Sequence, residues 1–286
     1  MTDPGGERGG RTMSRREFVR SAGLAGLGAL MVSFAPFQAP RAFVVSRHER
    51  SLPGLTRPLR LALLTDMHLG PWLGEDALAR WVDATLHLEP DVILLGGDLV
   101  DRTYRGDLGE LGRHLPRLVA PLGVYAVLGN HDHARFRRVE PLKELLADVG
   151  VRLLDNAAAR VRDDLVLAGI DDLRVGRPDL AATLAQAARL RGEAGGAVAL
   201  LSHNPDVIPE LGGGVDLVLA GHTHGGQVRL PIVGPVVTSS RYGRRYAAGW
   251  VDDPMPAFVS RGLGVTSLPF RYDCPAEVVE ITLLPA

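Results

Sequence analysis

Five short apolar runs recur along this chain, each followed at once by a side chain with an oxygen or nitrogen lone pair to offer. They read "LRLALLTDMH", "DVILLGGD", "GVYAVLGNHD", "AVALLSH" and "VDLVLAGHTH". Runs of this length, rich in Val and Leu, predict buried strands. After the first, "EDALARWVDATLHL" carries Leu78, Trp81, Val82 and Leu86 at helical spacing. A helix-like segment over 108–118, another over about 141–149, the shorter runs "VRLL" and "LVLAGI", and a helical "LAATLAQAARL" follow in turn. Strands alternating with helices imply an α/β chain with a mainly parallel core sheet and right-handed crossovers, so successive strands end at the same edge. That edge is where open α/β sheets form their sites.

The residues delivered there are Asp66, His68, Asp98, Asn130, His203, His222 and His224. Any one of them has an ordinary reading as a cap or turn former, and "GHTHGGQV" alone suits a polar hairpin turn. Five strand ends of the same kind are harder to assign to turns. Carboxylate, amide and imidazole together suit Mn, Fe, Zn or Co, and seven donors are too many for one tetrahedral ion. Two divalent ions sharing a carboxylate fit the set, and such a pair binds a phosphoryl oxygen and acidifies water for in-line attack. No protein nucleophile is then needed. Ser202, beside His203, lacks the G-x-S-x-G elbow of a serine hydrolase. Cys274 is the only cysteine, which excludes a thiolate zinc site and an intrachain disulfide. The formal net charge of -1 leaves no bulk basic footprint for nucleic acid.

Taken in order, D-x-H, GD, GNHD, a later lone His and GHTH resemble the motif series of the calcineurin-like metallophosphoesterase superfamily, over about residues 59–283. "GGQVRLPIVGP", "RYGRRYAAG" and the tail "FVSRGLGVTSLPFRYDCPAEVVEITL" resemble a branch of small bacterial phosphodiesterases, some of them exported by the twin-arginine route. The resemblance implies a four-layer αββα sandwich with two mixed β-sheets and a dinuclear metal site at the strand carboxyl ends. It implies Asp66, His68 and His224 on the first ion, Asn130, His203 and His222 on the second, and Asp98 bridging them. It makes His131 the proton donor to the leaving group. Asp101 and Arg102 match a D-x-x-D-R element in which the aspartate orients that histidine and the arginine meets phosphate. Thr103 stands where that element has Gly, and Asp132 where the branch commonly has Glu. The implied activity is hydrolysis of small-molecule or lipid phosphate esters, by a phosphodiesterase or phosphatase. A pyrophosphatase acting on a UDP-diacylglucosamine type of glycolipid is the alternative within the branch. A non-catalytic exported metal-binding protein would carry a degenerate ligand series, whereas every ligand position here is filled.

Residues 1–42 are expected to be a disordered start plus an export signal. "SRREFVR", with Arg15 and Arg16 paired, precedes a modestly apolar run over 21–35, and the layout resembles a twin-arginine signal. The run is shorter than the ~20 apolar residues of a spanning helix. Export through the twin-arginine machinery to the periplasm or cell envelope is the expected location, with cleavage or a membrane tether both open. Residues 43–58 are expected as a linker and 59–286 as the metallophosphoesterase domain. His48, His87 and His114 suit packing or solvent contact, and His133 stands outside the ligand set. "SSRYGRRYAAG", with Arg241, Arg244 and Arg245, reads either as a solvated basic loop or as an anion-gripping rim.

Overall fold

Period-two alternation decides how the strands stack. The computed structural model describes residues 37–38, 41–106, 108–136, 139–192 and 195–286. The export segment and nearly all of the expected disordered start lie outside these residues. In strand β2 (Leu59–Leu64), Leu61 and Leu63 join one apolar cluster while Ala62 and Leu64 join another, so both faces are covered. Strands β3 (Val92–Gly96), β4 (Val124–Val127) and β5 (Val151–Leu153) follow in parallel from β2. Helices α1 (Glu75–Leu86), α2 (Gly109–His114), α3 (Asn130–Arg135) and α4 (Glu140–Asp148) intervene. Trp81, Val82, Leu111, Leu142 and Leu146 pack against the outer face of this sheet. Glu75 and Asp76 sit in the first turn of α1, where the helix dipole favours them. Glu75 also takes two 2.8 Å bonds from Arg113 and ties α1 to α2.

A second sheet is built from β6 (Ala157–Arg162), β7 (Leu165–Gly169), β8 (Ala197–Ser202) and β9 (Leu217–Ala220), with β10 (Gly249–Val251) and β11 (Ala257–Val259). β7, β8, β9 and β11 run parallel, and β6 and β10 close the two edges antiparallel. Helix α5 (Leu180–Arg191) covers its outer face through Ala187, Leu180 and Leu184. Leu165, Leu167, Leu201 and Leu219 meet Leu61, Leu63, Leu94 and Val127 between the sheets. Three apolar layers therefore separate helices, sheet, sheet and helix, the four-layer sandwich with two mixed sheets.

The segment expected as a linker is corrected. Residues 43–52 form strand β1, ten residues long, paired in parallel with β12 (Ala276–Pro285) from Ala276↔Phe43 to Pro285↔Leu52. β12 in turn pairs antiparallel with β2, so the first sheet runs β1-β12-β2-β3-β4-β5. β1 is an edge strand with alternating exposure, and "SRHER" in its middle carries the polar face. The remaining stretch is also fixed. Asp164 accepts bonds from the Thr56 backbone and hydroxyl at 2.7 and 2.6 Å, and Arg162 reaches the carbonyls of Arg57 and Pro58 at 2.8 and 3.0 Å. Burial alone would raise the Asp164 carboxyl, but the Arg162 and Thr56 donors hold it at about 2. A carboxyl lowered in this way stabilises the fold above its unfolded value near ~4, and that stability is lost as pH falls toward the folded value. Asp164→Ala, which leaves buried Arg162 short of its counter-ion, should cost about 3 kcal/mol at pH 7. In urea unfolding, the gap from the parent protein should narrow as the pH drops from ~4 toward 2.

Candidate metal centre

The five strand ends do converge, and the backbone is bent to make them do so. Asp66, His68, Asp98, His222 and His224 all have φ between 46 and 70°. Side chains with a Cβ enter that left-handed region at a cost, and residues held there concentrate at functional sites. Cross-strand bonds hold them in place beyond the strand ends: Asp66 N–H to Gly97 O and His68 N–H to Asp98 O, both at 3.0 Å. Glycine is required at two close approaches. A Cβ on Gly129 would lie 2.2 Å from Asp98 Oδ1, and one on Gly221 would lie 2.4 Å from Asp66 Oδ2.

Besides a less buried group of His68, Asp101 and His131, two fully buried donor triads result, Asp66 with His68 and His224, and Asp98 with His203 and His222. Within each, the donor atoms lie within 4.8 Å of one another. Asp98 Oδ2 stands between them, 3.5 Å from His68 Nε2 and 3.2 Å from His203 Nε2. All six side chains are buried. In the first triad His68 Nε2 faces His224 Nε2 at 3.0 Å; in the second His222 Nδ1 faces His203 Nε2 at 3.1 Å. His203 Nδ1 is 2.9 Å from the Gly96 carbonyl, which leaves Nε2 as its free lone pair when neutral. Asn130 Oδ1 is buried with no hydrogen-bond partner among the described residues. Facing imidazole nitrogens, clustered carboxylates and an orphaned amide oxygen are what a divalent cation satisfies, so the residues fit the metals that their chemistry suggests.

The electrostatics divide the imidazoles: against burial, Asp98 raises His203 to about 10, and Asp101 and Asp98 raise His68, so without a cation those two rings hold protons that a bound metal would displace. Burial, then the neighbouring His203, lowers His222 to about 3, and burial, then His68, lowers His224 well below the usual imidazole range. Both are therefore neutral, the form that ligates. Burial would raise Asp98, but His203 and His68 beside it keep it ionised.

His131 follows Asn130 at the start of α3, and its backbone N–H donates to Asp98 Oδ1 at 2.7 Å. Its Nδ1 lies 3.1 Å from Asp101 Oδ2. The same Asp101 oxygen is 3.5 Å from His68 Nδ1, so one carboxylate backs both His131 and a member of the first triad. Arg102 also approaches through its backbone. Its backbone N–H lies 3.3 Å from His131 Nδ1, while its exposed side chain makes no ion pair among the described residues. Ser202 donates to the Asn204 carbonyl at 2.9 Å, an ordinary structural bond.

Other side chains join the site, and two of them, Arg271 and Arg174, carried no sequence signal. Asp132 is fully buried and accepts from Gly129 N–H at 3.0 Å and Val100 N–H at 3.1 Å, clamping the loops that hold Asn130 and Asp98. Burial, then the charge of Asp98, raises it to about 6. Arg271, fully buried, is 3.3 Å from His224 Nδ1 and donates to the Gly264 carbonyl. Arg174 Nη1 stands 3.4 Å from His222 Nε2. His133 turns to Asp171, with Nε2 2.6 Å from its Oδ1, and is not one of the triads. The arginine-rich loop divides: Arg241 is tied to Asp206 and Glu210 and Arg245 to Asp253, while Tyr246 is buried.

The chain's resemblance to known proteins follows the same residues. The family profile described as calcineurin-like phosphoesterase matches residues 59–226, which span every triad member. The metallophosphoesterase YkuE of Bacillus subtilis is 30% identical over 290 residues, covering 96% of this chain and 98% of that one. Phosphodiesterase YaeI of Escherichia coli is 28% identical over 280 residues, covering 95% of this chain and 100% of its own length. A transmembrane protein with metallophosphoesterase domain from Danio rerio is 32% identical over 265 residues, and this chain spans 58% of its length. With two donor triads meeting at Asp98 and the profile running through all of them, the chain belongs to the calcineurin-like phosphoesterase family.

Proposed function

We propose that this chain is a metal-dependent hydrolase of phosphate esters, a phosphodiesterase or phosphatase holding two divalent ions and acting outside the cytoplasmic membrane. The observation that carries the reading is Asp98 Oδ2 standing between two buried His/Asp triads, 3.5 and 3.2 Å from the nearest imidazole nitrogen of each. Asp66, His68 and His224 would hold one ion, and His203, His222 and Asn130 the other, with the Asp98 carboxylate available to both. Bound there, the ions supply positive charge to a phosphoryl oxygen and lower the pKa of water. The chain's own residues do the rest. Asp101 takes Nδ1–H of His131 and fixes the ring, leaving Nε2–H to protonate the departing oxygen as the P–O bond breaks and water adds to phosphorus. Asp132 and Arg271 hold the loops and the His224 ring against reorientation. The phosphodiesterase name of the Escherichia coli relative supports a diester over a monoester.

Metal-stripped protein titrated with Mn²⁺ should take up about two ions per chain, and hydrolysis of bis(4-nitrophenyl) phosphate should rise in step with them. Hydrolysis that survives chelation at full strength would overturn the metal reading.

Export rests on the paired Arg15 and Arg16 ahead of the apolar run over 21–35. Among the described residues no helix is long and apolar enough to cross a membrane. Replacing both arginines by lysine keeps the charge and removes the guanidinium pair, so the protein should accumulate, active, in the cytoplasmic fraction. Normal amounts of the double-lysine protein outside the cell would sink the export reading.

A further inference from the structure

Eleven large hydrophobic side chains are exposed among the described residues, and six of them belong to one region: Leu230, Ile232, Val233, Val236, Val237 and Leu268. Scattered exposed aliphatics need no explanation, but a group of this size marks a surface with a partner. The first three lie on a short hairpin in which Arg229 pairs with Pro235 and Leu230 with Gly234. Ile232, at its tip, is 109% exposed and has φ +67°. A β-branched residue in the left-handed region is a real outlier, and its side chain packs on nothing among the described residues.

Val236, Val237 and Leu268 wall a groove of about 420 Å³ that ends at Thr223 and His224, a member of the first triad. Ser239 lines both this groove and a second cavity of about 370 Å³, which holds Arg174, Asn204 and an Arg241–Asp206 ion pair. Arg174 in turn lies 3.4 Å from His222 Nε2. The metal centre is thus flanked by hydrocarbon on the His224 side and by guanidinium on the His222 side.

We propose that the substrate is an amphiphilic phosphodiester drawn from a membrane, with its hydrocarbon chain in the groove and its polar group toward Arg174, and that the hairpin tip enters the leaflet at Ile232. The substrate class deepens the phosphoesterase reading and rests on it. A lipid surface suits the region better than a second copy of the chain, because the hairpin is only two residue pairs long and its tip residue is wholly exposed, too little area for a stable dimer. Its flanks are cationic: Arg229 is in the hairpin, and the turn bearing Arg244 is tied to Thr238 through the Gly243 carbonyl. Arg244 makes no ion pair among the described residues and is exposed, as a contact for anionic headgroups requires.

Two measurements on the full metal-loaded chain test this. With 4-nitrophenyl alkyl phosphates from methyl to octyl, which share one leaving group, kcat/KM should rise by up to about fourfold per added methylene until the groove is filled. Val237→Asp should flatten the series, so that the octyl-to-methyl ratio of kcat/KM falls toward one. An environment-sensitive dye on Ile232→Cys should shift to the blue on phosphatidylglycerol vesicles, and the same dye on Val119→Cys should not. Cys274 is buried and stays unlabelled. A flat length series in the parent protein, an unshifted dye at Ile232, or a shift caused by self-association without vesicles overturns the proposal. Failure to hydrolyse even the methyl ester with metals bound is a different result, and it sinks the phosphoesterase reading itself.

Discussion

Asp98→Asn should lose metal and activity together. The carboxylate is buried, and its Oδ2 lies within reach of a histidine of each triad, while Oδ1 is committed to the His131 backbone N–H at 2.7 Å. An amide in the same place keeps one oxygen for His131 and turns its NH₂ toward His68 and His203. The shared negative charge is gone, and two donors replace the lone pairs that a cation would meet. Because metal affinity and charge stabilisation both depend on that group, occupancy should fall below about one ion per chain, and turnover of a diester by on the order of 10³-fold. Elemental analysis of the folded variant supplies the test. Full occupancy of both sites in Asp98→Asn would place the bridge on another residue.

His131→Ala should separate proton donation from metal binding. The ring belongs to neither donor triad that meets at Asp98, yet Asp101 holds its Nδ1 at 3.1 Å. Its deletion should leave the metals in place. On a dialkyl phosphate, whose alkoxide must be protonated as it leaves, the rate should drop by about 10²–10⁴, the usual worth of a general acid. On a nitrophenyl ester the loss should be much smaller, since nitrophenolate leaves as a stable anion. Asp101→Asn should behave differently from a weaker copy of this variant. The same Asp101 oxygen stands 3.5 Å from His68 Nδ1, so its loss should also weaken metal binding, by about 10–100-fold as is typical of a ligand's supporting partner. Equal rate losses for His131→Ala on both esters, with metals intact, would argue that His131 grips the phosphate instead.

Much of the candidate site was legible in the sequence because its donor residues come in short local patterns. Asp66 and His68, Asn130 and His131, and His222 and His224 each close an apolar run, and a parallel strand fixes where its carboxyl end must lie. What the patterns could not convey was contact across the fold. Arg271, on a two-residue strand, and Arg174, in a turn, reach His224 and His222 from segments that are distant in sequence or carry no periodicity, and a lone arginine in such a segment looks like any solvated one. His133 follows the ligand series closely enough to invite inclusion, and only the 2.6 Å approach to Asp171 assigns it elsewhere.

The fold divides along the same line. The sequence by itself determined the βα alternation, the buried parallel strands and the edge at which seven donors collect, because strand burial and crossover handedness act over tens of residues. Only the tertiary structure decided that residues 43–52 are a strand. "FVVSRHERSL" is half polar because it lies at an edge, and its partner, Ala276–Pro285, is more than 220 residues away. It also decided how the chain divides into two sheets and which oxygen of Asp98 stands between the triads. Local pattern records which side chains are buried, whereas the choice of burial partner is made by packing between segments that the sequence never brings together.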